Sequence, residues 1–206
     1  GRSYIFTFQT QSIFNGKLEG IPHFIYTDHT TQTNLLYPGI NPRRYILSRK
    51  FIENSEIKIY EEATTIFTLG SLPAYSLINQ YSIEKEKVVV ACAGSNISTA
   101  EFGYDPTKYT SKNILFVGVD WERKGGPVLL KVFQKVLEIH PDAMLTIIGC
   151  MPNIYKTPNC KVIGKVPVQR LPYYFNAASI FCMPTTREPF GIVFIEAMSY
   201  RLPIIS

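Results

Sequence analysis

The sequence predicts an α/β protein whose sheets are mostly parallel, with helices on both faces, and three observations carry that. The second half alternates short apolar runs with helical stretches in the order β-α-β-β-α-β-α-β, which is how a parallel sheet is wound. The first half repeats the alternation less cleanly. With 206 residues, 46% hydrophobic and 18% charged, the chain can bury a sizeable core, which excludes a disordered or low-complexity protein.

Taken in order, residues 4–8 alternate in polarity and read as a strand, so no secretion signal is expected there. Residues 22–26 form a second strand. Residues 43–62 form a long helical stretch with Ile46, Leu47, Phe51, Ile59 and Ala63 on its apolar side. A strand over 64–69, a helix over 73–81 and a strand over 87–91 follow. The stretch between Cys92 and Lys112 is polar, rich in Gly, Ser, Thr and Asn, and has no clear period. It is expected to divide a domain over 1–111 from one over 112–206.

In the second half, residues 113–119 are an apolar run bounded by Lys112 and Asp120, a buried strand. Gly125-Gly126-Pro127 opens a helix, with proline where no amide hydrogen bond is lost. Leu129, Val132, Phe133, Val136 and Leu137 give that helix one apolar face, and His140-Pro141 stops it. Strands over 144–149 and 161–164, a helix over 169–178, a strand over 179–183 and a helix over 190–200 complete the pattern. A last strand begins at 202, and a sheet ending there predicts a fragment of a larger fold.

Charge and cysteines narrow the function. Residues 1–111 are neutral, and the whole formal charge of +5 lies in 112–206. That excess suits an anionic small ligand such as a phosphate, and is too scattered for a nucleic-acid footprint. No apolar run is long enough to span a bilayer; the longest charge-free stretch, 63–83, is broken by Gly70, Pro73, Asn79 and Gln80. The four cysteines, Cys92, Cys150, Cys160 and Cys182, make no CxxC pair, so no metal site is expected. Cys92, Cys150 and Cys182 end apolar runs and read as buried thiols, which suits a reducing cytoplasm.

Neither GxGxxG after a strand nor GxxxxGK[ST] occurs, which removes the signatures of dinucleotide-binding and P-loop proteins. What remains is Arg123-Lys124-Gly125-Gly126 between a strand end and a helix start. There the free amides of a helix N-terminus and two cations can hold a diphosphate. Glu188 precedes the helix over 190–200 and Glu196 lies on its second turn. About 9 Å of axial rise separates Phe190 from Glu196, with the amides of Phe190, Gly191, Ile192 and Val193 between the two carboxylates. A ligand with hydroxyls at both ends and a diphosphate between them fits that layout, as a nucleoside diphosphate sugar does. Asp28 and His29 follow the strand over 22–26, where a substrate can be met at a strand's carboxyl end.

These motifs together resemble family 4 of the retaining glycosyltransferases, which have the GT-B fold. The resemblance rests on Phe116-Val117-Gly118 with Arg123-Lys124-Gly125-Gly126, on Gly164-Lys165-Val166-Pro167, and on Glu188-Pro189-Phe190-Gly191 leading to Glu196-Ala197-Met198 and Leu202-Pro203-Ile204-Ile205, similar to the family's E-x7-E signature. Residues 25–29 are similar to its histidine-containing loop. The resemblance implies two Rossmann-like domains and a chain that is part of a longer protein. It implies that Arg123 and Lys124 bind the donor phosphates near Gly118 and steady the departing diphosphate. Glu188, with the amides of Phe190 and Gly191, would hold the sugar, Glu196 the ribose, and the backbone at Lys165 and Val166 the base. His29 would sit near the sugar.

It further implies transfer of a hexose, with retention and no metal or other cofactor, from a UDP-sugar in preference to a GDP-sugar. The acceptor would be a glycan or a lipid-linked sugar, taken in the cytoplasm at the inner face of the membrane, which Arg43, Arg44, Arg49 and Lys50 with Tyr45, Ile46 and Phe51 could touch. Two alternatives stay open: another GT-B sugar-nucleotide enzyme such as an epimerase, and a non-catalytic partner domain.

Overall fold

The computed structural model describes residues 3–37, 46–98, 105–154 and 157–206, without the side chains of 46–52. The basic and aromatic stretch proposed to touch a membrane, residues 43–51, lies outside these described residues and side chains. Among the described residues no helix is long and apolar enough to cross a membrane. The chain divides into two compact units, Gly1–Ala93 and Gly94–Ser206.

In the first unit four strands run parallel in the order β1 (Thr7–Thr10), β2 (His23–Thr27), β3 (Thr65–Thr68) and β4 (Val88–Val90). The first strand starts at Thr7 rather than Tyr4, because its pairing partner begins at His23, opposite Thr7. A short helix α1 (Thr31–Asn34), absent from the sequence reading, follows β2. Thr30 caps it by accepting from the Thr33 amide. Helix α2 (Ile46–Glu61) leads into β3, and α3 (Ser71–Asn79) leads towards β4. Ile25, Ile59, Tyr60, Ile66, Leu77 and Tyr81 close the core. Cys92, expected to be buried, is exposed: β4 ends two residues earlier and Cys92 turns away at φ 56°.

The second unit is a five-stranded parallel sheet in the order β7-β6-β5-β8-β9, made of β5 (Asn113–Val117), β6 (Met144–Ile148), β7 (Cys160–Gly164), β8 (Ile180–Cys182) and β9 (Ile204–Ile205). Helices α4 (Gly126–Ile139), α5 (Leu171–Ala177) and α6 (Ile192–Ser199) connect them. Phe116, Phe133, Leu145, Ile147, Phe175 and Phe181 are the fully buried centre. On α4, Leu129 and Phe133 are buried as the apolar stripe predicts, whereas Val132 at the stripe's margin is 52% exposed. The helix expected over 169–178 is split: Val168–Arg170 is a 3-10 turn and α5 starts at Leu171, with Pro172 in its first turn where proline's missing amide costs nothing. Helix α6 starts at Ile192 rather than at 190, because Gly191 before it has φ 80°.

The strand order sets the site. Building outward from β5, the chain goes first to β6 and β7 on one side, then to β8 and β9 on the other. Neighbouring β5 and β8 therefore send their connections in opposite directions, and a crevice opens past their carboxyl ends. Two aromatic contacts anchor the loops there. Trp121 packs edge-on against Phe116 of β5 at 5.3 Å, and Phe194 of α6 against Phe181 of β8 at 5.7 Å.

Gly125 permits the loops to meet. Its φ is 77°, and a Cβ there would lie 1.8 Å from the Pro184 carbonyl oxygen, which no side chain tolerates. Gly125→Ala is expected to cost roughly 1–3 kcal/mol or more, read by urea denaturation. Gly94→Ala, with open space around it, should stay within about 0.5 kcal/mol of wild type.

His23 gives the first unit a pH dependence. It is 1% exposed, its Nδ1 lies 2.7 Å from the Thr7 hydroxyl, and its Nε2 has no hydrogen-bond partner among the described residues. Burial, helped by the Lys17 charge, holds its pKa below the ordinary 6.5. The neutral folded form is thus favoured. Stability from this residue is complete above pH 6.5 and declines as pH falls below it, since the unfolded chain then takes a proton that the folded chain resists. Melting temperatures measured from pH 7.5 to 5 should fall more steeply for wild type than for His23→Gln.

Candidate functional site

Two loops cross at the crevice of the second unit. The first follows β5 and runs from Gly118 to Gly125. The Arg123 amide donates to Asp120 Oδ1 at 3.1 Å and the Lys124 amide to the Asp120 carbonyl at 3.0 Å, closing the loop on itself. The second follows β8 from Met183 to Gly191. The Arg123 carbonyl accepts the Thr186 amide at 3.0 Å and the Thr185 hydroxyl at 3.1 Å, so the loops are joined through the backbone.

The charged side chains are joined as well. Lys124 Nζ donates to Glu188 Oε2 in an ion pair whose members are 12% and 17% exposed. Arg123 Nη1 donates to the Arg187 carbonyl at 2.6 Å and lies 3.8 Å from the same Glu188 oxygen, with Arg123 Nε 3.4 Å from Asp120. Two cations and two carboxylates thus share one partly screened patch in which the formal charges balance. Gly118 lies under this patch, the site of its absent Cβ 3.1 Å from Lys124 Cγ.

Helix α6 begins beside the pair. A Cβ on Gly191 would be 3.1 Å from Glu188 Cγ, so the start of the helix, which no side chain caps among the described residues, lies next to the patch. Phe190 is half-buried just before it. Glu196, one turn further along, is 6% exposed and accepts from Asn96 Nδ2 at 3.4 Å. Asn96 belongs to the polar stretch before β5 and was not singled out by the sequence, because the contact spans 100 residues. Lys165 and Val166 follow β7 at the same carboxyl edge. Gly118, Gly149 and Gly164 there form a ladder in which Gly118 donates to the Ile148 carbonyl at 2.9 Å and Gly149 to that of Gly164 at 2.8 Å. Lys165 is exposed and Val166 packs against the core.

His29 belongs to the first unit. Its Nδ1 lies 2.5 Å from Asp28 Oδ1, which also accepts Gln11 Nε2 at 2.7 Å. The His29 hydrogen bond, ahead of that from Gln11, holds the Asp28 carboxyl below its ordinary range against the effect of burial. Asp28 therefore stays ionised and orients the imidazole through Nδ1. Gln11 was missed because nothing in its local pattern distinguishes it. It reaches Asp28 only because β1 pairs with β2.

Comparison with known proteins identifies chains of similar sequence and fold. The chain is 33% identical over 107 residues to an uncharacterised glycosyltransferase of Haemophilus influenzae, covering 48% of this chain and 30% of that protein. It is 24% identical over 216 residues to a D-inositol 3-phosphate glycosyltransferase of Pseudarthrobacter chlorophenolicus, covering 92% of this chain and 50% of that protein. Among solved structures it is similar to HepE of Anabaena, determined in complex with UDP, with a TM-score of 0.64 at 14% identity over 89% of this chain and 52% of that one. The chain thus spans about half the length of these matches or less, and its fold is that of GT-B glycosyltransferases. Residues 105–206, which carry the two crossing loops and the whole five-stranded sheet, match the family of glycosyl transferases group 1.

Proposed function

We propose that this chain belongs to a glycosyltransferase that moves a hexose from a nucleoside diphosphate sugar to a glycan or lipid-linked acceptor, with retention of configuration. The observation that carries the reading is the convergence of Arg123, Lys124 and Glu188 with the uncapped start of α6 at the β5–β8 crevice.

In this reading the diphosphate lies across Arg123, Lys124 and the α6 amides. Charge grows on it as the sugar departs, and donors fixed in advance stabilise that charge without having to reorganise. The Lys124–Glu188 pair keeps both groups in place before the ligand arrives. An ammonium has three donors, so Lys124 can serve a phosphate oxygen and keep Glu188. Glu188 then accepts a sugar hydroxyl, and the buried Glu196 accepts the ribose hydroxyls while Asn96 steadies it. The main chain at Lys165 and Val166 meets the base. His29 is assigned to the sugar, and the departing phosphate takes the acceptor's proton. The division of labour follows domains over 1–111 and 112–206. A uridine donor is favoured by the UDP bound to the similar HepE, and four free thiols suit a reducing cytoplasm.

Calorimetric titration with UDP, GDP and ADP tests this. UDP should bind most tightly, and Glu196→Ala should weaken it by roughly 1.5–3 kcal/mol, the worth of a hydrogen bond to a charged group. Absence of binding by all three nucleotides would contradict the reading.

A further inference from the structure

Glu56 is a buried carboxylate that the transfer chemistry does not use. It lies on α2, is 4% exposed, and is held by groups from four parts of the first unit. Oε1 accepts the Ser12 hydroxyl at 2.7 Å and the Tyr60 hydroxyl at 3.1 Å. Oε2 accepts the Tyr81 hydroxyl at 2.5 Å and the Thr31 amide at 3.2 Å. None of these partners is a cation. The proximity of the carboxylate, after burial, keeps both phenols protonated, their pKa raised. A charge kept in such a place is costly compared with an apolar side chain of similar size, so stability alone does not account for it.

Its partners do. Ser12 and Thr31 stand on two walls of a cleft of about 400 Å³ that Gln11, Ile13, His29 and Ile59 also line. One wall is the loop after β1, carrying Gln11 and Ser12. The other is the loop after β2, carrying Asp28, His29 and Thr31. The walls meet at the top through Gln11 to Asp28 at 2.7 Å, and the Thr27 hydroxyl sits 2.8 Å from Gln11 Oε1 and 2.6 Å from the His29 carbonyl. They are also joined through Glu56, which takes a donor from each.

We propose that Glu56 is a positioning residue for His29: its carboxylate ties the Ser12 loop to the Thr31 amide and so fixes the direction in which the imidazole enters the cleft. The geometric claim concerns the first unit alone, and its catalytic meaning rests on the transferase reading.

The charge of Glu56 matters because the Thr31 amide and the three hydroxyls all present hydrogens to it. Glu56→Gln replaces one acceptor oxygen by a donor and sets it against them. Nitrogen-15 correlation spectra of the three imidazoles report the outcome directly. In Glu56→Gln the His29 resonances should move and its Nδ1-protonated form should lose its dominance. His29 carbethoxylation should speed up severalfold, while His140 and the exposed-site control Glu61→Gln stay as wild type. Tyr81→Phe, which removes one donor and keeps the charge, should give the same shift in smaller measure, and it carries the test should Glu56→Gln fail to fold. His29 signals and reactivity identical to wild type in the folded variants would overturn the proposal. Failure of nucleotide binding by the second unit would strike the transferase reading and leave this result standing.

Discussion

A lysine ammonium and a glutamate carboxylate separated by 64 positions meet past the carboxyl ends of β5 and β8, and the second unit is arranged around that meeting. For Lys124 to reach Glu188, the loop after β5 must pass under the loop after β8, and this is possible only because Gly125 has no side chain to strike Pro184. Trp121 on Phe116 and Phe194 on Phe181 fix the loops to their strands. The Thr186 amide and the Thr185 hydroxyl, both donating to the Arg123 carbonyl, then hold them to each other. An exposed ion pair contributes little to stability. This one is mostly screened from water, and its larger effect is to place two cations and a helix N-terminus on one crevice before any anion arrives.

Three carboxylates in the molecule illustrate how environment assigns work. Glu188 sits between two cations that hold it in place. Glu196 is more deeply buried, and among the described residues its side chain meets one neutral amide, that of Asn96 at 3.4 Å. Glu56 is saturated by hydroxyls and an amide from its own unit, so it serves the protein rather than a ligand. Residue type alone does not separate these roles; the donors around each carboxylate do.

The sheet of the second unit was legible because its strands are continuous apolar runs and its helices carry stop and start residues at both ends. Element limits moved where a single residue overrode the period: Gly191 delays α6, Pro172 delays α5, and the pairing of Thr7 with His23 delays β1. Arg123, Lys124 and Glu188 could be singled out since each abuts a strand end and a helix start, and the fold brings these three together. Gln11, Glu56 and Asn96 could not. Each acts across long sequence separations through contacts that only the finished fold creates. Cys92 was misjudged for the same reason, as an apolar run predicts burial only while its strand continues.

The central claim is that the two crossing loops and the first turn of α6 form one anion site. Hydrogen–deuterium exchange of the chain with and without UDP addresses it most directly. The account predicts slowed exchange in peptides covering residues 121–127 and 188–196, and no such slowing within residues 3–37. Unchanged exchange in both loop segments while UDP is bound, or protection confined to other parts of the chain, would contradict it.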